Sequence, residues 1–202
     1  RVMNFCEQIA LSIHEDTKVA KLCGLFHDIG RFEQCKKYHS FSDIHTVDHG
    51  DLGFSILQEH FSQIENYDLV LFTTKNHNKL FIEETNDSKK ILFAKIVRDA
   101  DKLDILYAFS NPRILELNED DSELSSEVII EFKKHKLVKN EYVKTVNDKI
   151  LVFLAFAFDL NYDYSKQTIL EKGYYDKMFE HIKNKDKFKP YFDEVKKYLK
   201  GE

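Results

Sequence analysis

The chain has 202 residues, enough for one sizeable hydrophobic core and short of the length at which several domains become the default. Its 43% apolar and 32% charged residues are those of an ordinary globular protein, and six glycines with two prolines are too little punctuation for a many-turned β fold. A net charge of −5 without a long Lys/Arg block argues against non-specific nucleic-acid binding, while leaving room for local positive charge around a nucleotide-sized substrate.

In chain order, Val2, Phe5, Ile9 and Ile13 recur at helical spacing and predict a first helix already running at the start of the sequence. Asp16 suits the cap of a second helix with Val19, Leu22, Cys23 and Phe26 inward and Gly30 as its terminator. Residues 31–45 are polar and aromatic and read as a loop. A third helix is predicted from Thr46 to Phe61, with Leu52, Ile56 and Leu57 inward, and a fourth from about Tyr67 to Lys75. Ser88 is expected to cap a long fifth helix through Phe109, carrying Ile91, Leu92, Ile96 and Leu103. The acidic stretch Asn118–Glu123 lacks the alternating ligands and central glycine of a calcium loop and reads as a solvated connection. Further helices are predicted near 123–137, 146–160, 165–183 and 188–199, with Asn161 closing the second of these. The fold class is therefore all-α, read as a single domain with additional C-terminal helices from about residue 122 to 200.

Cys6, Cys23 and Cys35 form no CxxC and are odd in number, which suits reduced thiols in a cytoplasmic setting, the first two as small core fillers. The longest apolar run, Ile150–Phe158, has nine residues against the ~20 that span a bilayer, so no membrane partner is expected.

Five polar residues stand where polar groups are costly. His27 and Asp28 end the second helix, His49 opens the third inside TVDHGDLG, His77 follows the fourth in TKNHNK, and Asp101 sits mid-helix in IVRDADKLDIL. The spacings His27 to His49, His49 to His77 and His77 to Asp101 are 22, 28 and 24 residues, one helix and loop apiece, so successive helices can each bring one ligand to a common centre. Imidazole and carboxylate together suit Fe, Mn, Zn, Co or Ni more than Ca. His39, His45, His60, His135 and His181 lack comparable context and are not expected to be ligands.

HDIGRFEQ, TVDHGDLG and RDADKLDIL together resemble the HD superfamily of metal-dependent phosphohydrolases, over roughly residues 1–110, and VFLAFAFDLNYDYS is similar to one bacterial branch of it. The resemblance implies an HD-type helical bundle in which His27, Asp28 and Asp101 are core metal ligands and His49 and His77 the additional histidines of binuclear members. Asp28 would then bridge two divalent ions. The superfamily's first ligand histidine stands a few residues before an Arg-Val pair, and this sequence opens on Arg1-Val2, so a sixth ligand is expected before Arg1; His14 lies at the wrong end of its helix to replace it. Asp104, three residues beyond Asp101, is a candidate for support behind the ligands.

What the resemblance implies chemically is hydrolysis of a phosphomonoester, phosphodiester or nucleotide, with two ions lowering the pKa of a shared water. No side-chain nucleophile is needed, and the sequence has no GxSxG, P-loop or catalytic-cysteine signature. Arg31 and Lys102, with Lys36 and Lys37 nearby, are candidates to hold the phosphate of a small phosphorylated substrate, and Phe32, Tyr38 and Phe41 to line its pocket. Two alternatives stand beside this reading. Some members of the superfamily use the same ligand set for a di-iron, oxygen-dependent cleavage, and an HD module can also be non-catalytic.

Overall fold

Helices are the only regular elements among the described residues of the computed structural model, which are 1–43 and 45–202. The chain divides into two compact units, Arg1–Asp101 and Lys102–Glu202. The first contains α1 (Val2–Ser12), α2 (Thr17–Phe26), α3 (Ile29–Tyr38), α4 (His49–His60), α5 (Tyr67–Asn76) and the greater part of α6 (Ser88–Phe109). The second contains the end of α6, then α7 (Ser126–Lys133), α8 (Val146–Leu154), α9 (Asp163–Lys172), α10 (Tyr174–His181) and α11 (Lys185–Lys200). Short 3-10 turns lie at Asn140–Tyr142 and Ala155–Asp159. No helix among the described residues is long and apolar enough to cross a membrane. The all-α expectation is met.

In the first unit α1 packs on α2, and α5 packs on both α2 and α4. Cys6, Ile9, Ala10, Val19, Ala20, Cys23, Leu57 and Val70 are buried there. Burial pushes both thiols up, Cys23 to about 11, so these cysteines are inert packing groups as expected.

The sequence reading fails between Phe26 and Tyr38. Helix α2 stops at Phe26, His27 and Asp28 form the break, and helix resumes as α3, where a terminator and then a loop were predicted. Ile44, within that predicted loop, lies outside the described residues. Helix α3 escaped notice because its buried face is Gly30 and Gln34, neither of them a hydrophobic marker. Gly30 ends nothing. A Cβ there would collide with the His49 carbonyl oxygen and stand 2.6 Å from the Gly53 nitrogen, so its bare Cα is what lets α3 and α4 meet backbone to backbone. The left-handed residue that does end α3 is His39, at φ 52.

One helix start and one cap also differ from expectation, for the same reason. Helix α4 begins at His49 rather than Thr46, because the Asp48 carboxylate accepts from the Asp51 amide at 3.0 Å. Helix α6 is capped by Asp87, which accepts from the amides of Lys89 and Lys90, and not by Ser88.

In the second unit the predicted 165–183 helix is two helices, α9 and α10, broken at Gly173 with φ 61. The predicted 146–160 helix tightens to 3-10 geometry from Ala155 and leaves through an extended Leu160, without a left-handed residue at Asn161. Thr145 and Asp148 form a capping box on α8, and the buried Asp148 carboxylate also accepts from the Ser125 and Lys144 amides at 2.8 and 2.9 Å. The neighbouring Asn147 amide donates to the carbonyls of Asp120 and Ser122, which fixes the base of the acidic connection. Phe132 packs its ring against Phe158 and Tyr191, and Tyr175 donates its hydroxyl to the Leu154 carbonyl.

Candidate metal centre

His27 and His77 reach the centre by one local device used twice. Each caps the C-terminus of its helix, α2 or α5, in right-handed helical geometry. Each ring meets the carbonyl three residues back through Nδ1, Gly24 for His27 at 2.8 Å and Thr74 for His77 at 2.7 Å. A carbonyl only accepts, so Nδ1 carries the proton and donates it. His49, in the first turn of α4, donates its Nδ1–H to the Asp43 carboxylate at 2.7 Å. In the neutral rings all three Nε2 atoms are thereby left as lone-pair donors aimed at one place.

That place is the carboxylate of Asp28. Its Oδ1 stands 3.2 Å from His49 Nε2 and 3.5 Å from His77 Nε2, while its Oδ2 stands 3.5 Å from His27 Nε2. Asp101 Oδ1 completes the second group at 3.7 Å from His27 Nε2. The five residues singled out by spacing and motif therefore come together as two half-sites. One is His49, His77 and one oxygen of Asp28; the other is His27, Asp101 and the other oxygen.

Divalent metal fits this donor set. Ligand bonds of about 2.1 Å place neighbouring donors roughly 3.0–3.4 Å apart, close to the separations observed. Donor atoms of His27, Asp28 and His77 all lie within 4.8 Å of one another. The buried His27 Nε2 has no hydrogen-bond partner; its carboxylate neighbours at 3.5 and 3.7 Å are ion-pair distances only. The His49 and His77 Nε2 atoms face each other at 2.8 Å, and two lone pairs so close repel unless a cation or proton lies between them.

The electrostatics point the same way. Burial pushes the Asp28 carboxyl up, but hydrogen bonding to His49 and His77 and the charge of His27 outweigh it and hold the group well below the carboxylate range. Burial likewise raises Asp101, and His27 more than reverses it. For His27, burial works against the charged form, yet Asp101 and Asp28 carry it up to about 9. Burial lowers the wholly enclosed His77. The two carboxylates favour positive charge at the centre, a proton on His27 or a cation that the donor set could hold in its place.

Arg31, a sequence candidate, lies beside this centre. Its Nε is 3.6 Å from Asp28, and one terminal nitrogen donates to Gln34, the Phe41 carbonyl and Asp43. Lys102 is buried and pairs with Asp159 at 2.8 Å within the second unit. Asp104 is also in that unit, where burial first, and then Tyr107, Tyr164 and Asp104, push the Tyr174 phenol up to about 12. Phe32 and Phe41 are exposed, as is the pair Lys36 and Lys37.

Three residues around the ligands went unread in the sequence. Asp43 backs His49; Gln34 donates to Asp43, Thr46 and the Val47 carbonyl; and Arg98, buried on α6, donates to the Asn76 and His77 carbonyls at the end of α5. The acid six residues before His49 was the one available signal. A protein-family model for the HD domain matches residues 1–106. No curated protein and no solved structure matches the chain.

Proposed function

The chain belongs to the HD domain family, whose members are generally metal-dependent hydrolases, and from that premise we propose that it hydrolyses a phosphate ester or anhydride of a small phosphorylated substrate. The observation that carries the reading is the Asp28 carboxylate, which turns one oxygen to His49 and His77 and the other to His27. His27, Asp28 and Asp101 would hold one divalent ion, and Asp28, His49 and His77 a second. Bound there, the ions would supply Lewis acidity toward phosphoryl oxygens and a nucleophilic water at neutral pH. Nδ1 bonds hold the three imidazoles as neutral donors, and burial of the rings keeps bulk water from competing with the ligands. Arg31, 3.6 Å from Asp28, is a candidate cation to orient the phosphate, whereas the Lys102 ammonium is paired with Asp159.

The test is elemental analysis of the purified chain together with a screen of nucleotides and phosphate esters, with and without oxygen. The wild type should carry divalent metal and release phosphate anaerobically, and Asp28→Ala should lose both. Full activity in Asp28→Ala removes Asp28 from the site. Turnover that stops without oxygen assigns the centre to oxidation instead.

A further inference from the structure

Among the described ligand histidines, His49 alone is backed by a carboxylate. His27 and His77 end their helices, so the carbonyl that fixes each ring comes with the helix itself. His49 begins a helix, and no helical turn precedes it to offer a carbonyl, so its acceptor must come from elsewhere. Asp43 fills that role, and the structure treats it as an anchored group. Its Oδ1 accepts from Arg31 at 3.0 Å and from the fully buried Gln34 at 2.9 Å, and its Oδ2 lies 3.5 Å from the Asn78 amide. Gln34 also donates to Thr46 and the Val47 carbonyl, and Arg31 to the Phe41 carbonyl, so the chain is tied to α3 both after and before Asp43.

These contacts close a circuit. Asp43 holds His49, His49 faces Asp28, Asp28 meets Arg31 at 3.6 Å, and Arg31 returns to Asp43. We infer that Asp43 is the positioning residue of one half-site only, fixing the tautomer and direction of His49 and, through Arg31, the Asp28 oxygen that His49 and His77 share. The inference rests on the metal-binding reading above. It makes the two ion positions unequal in a definite way: the His27–Asp101 half-site is held by helix geometry, and the His49–His77 half-site by a side-chain network that one substitution can open. It also assigns Arg31 a bracing role in the resting site, since its guanidinium joins two carboxylates there.

The experiment is titration of the metal-stripped full chain with Mn²⁺, following free ion by electron paramagnetic resonance, on wild type, Asp43→Ala, Asp43→Asn, His49→Ala and the Asp43→Ala/His49→Ala double variant, with folding checked by circular dichroism. The wild type should take up two ions. Asp43→Ala should bind one within threefold of wild type and the other 10–100-fold more weakly, the range found when a group supporting a ligand is removed. His49→Ala should weaken the same step, and the double variant should add no more than threefold to it. Should Asp43→Ala not fold, Asp43→Asn decides: it keeps an acceptor for His49 and loses the charge that Arg31 meets, so a three- to tenfold weakening confined to one step is expected. No change, or equal weakening of both steps, overturns the inference while metal binding stands. Uptake of a single ion by the wild type also overturns it, and uptake of none defeats the metal reading itself.

Discussion

Gly30→Ala is the most direct probe of how α3 and α4 bring the ligands together. The added methyl would collide with the His49 carbonyl oxygen and stand 2.6 Å from Gly53 N, against about 3.4 Å for an ordinary contact. Both obstacles are backbone, so no side chain can swing aside, and the helices must separate by about 0.8 Å or more. Overpacking of this kind costs about 3 kcal/mol, the upper end of the usual range, which for a chain of this length lowers Tm by roughly 6–12 °C. The displaced backbone carries His49, so Mn²⁺ affinity should fall at least tenfold as well. Gly173→Ala is the comparison. It stands at φ 61 with nothing nearer than Asp176 Oδ2 at 3.9 Å, so its cost is conformational only, about 1 kcal/mol and roughly 2–4 °C, with metal affinity unchanged. Differential scanning fluorimetry and Mn²⁺ titration read both effects. If Gly30→Ala melts no lower than Gly173→Ala and binds Mn²⁺ as wild type does, the backbone contact is not what sets the site.

Three other outcomes are expected. Arg98→Leu strips the donor from the Asn76 and His77 carbonyls and should cost about 3 kcal/mol by urea unfolding, with weaker metal uptake because His77 sits on that end of α5. Asp148→Asn should flatten the acid limb of stability: burial raises the Asp148 carboxyl, but its backbone and Ser125 hydrogen bonds hold it below the ordinary value. A carboxyl depressed in the folded state stabilises above about pH 4, and that contribution disappears as pH falls through the folded value; melting from pH 6 to 3 should therefore decline less steeply in the variant. Finally, chelation of an ion present at a hundredfold over its Kd should remove about 2.7 kcal/mol, roughly 5–11 °C in Tm, and an unchanged melting point would argue against a bound metal.

Residues with apolar periodicity and residues with rare chemistry were readable in the chain; those that act by long-range hydrogen bonding were not. Helix α6 runs over Ser88–Phe109 as its apolar spacing predicts, and α5 begins at Tyr67. His27, Asp28, His49, His77 and Asp101 stood out because imidazole or carboxylate at a packed helix end has few other uses, and the structure gathers them. Helix α3 was missed because polar residues and a glycine make its buried face. Asp43, Gln34 and Asn78 belong to residue types that crowd every protein surface, and only the folded chain shows that they meet around His49. The pairing of Lys102 with Asp159 spans 57 positions, beyond any local pattern.

The Nδ1 anchors of the three imidazoles also have a consequence for affinity. Freezing a mobile side chain at a binding site costs about 1 kcal/mol, and a ligand normally bears that cost when it arrives. Here the folding of α2 and α5, and the Asp43 contact, have already stopped His27, His77 and His49 from turning. Three rings at about 1 kcal/mol each come to about 3 kcal/mol, or roughly a hundredfold in Kd that an arriving ion does not have to supply.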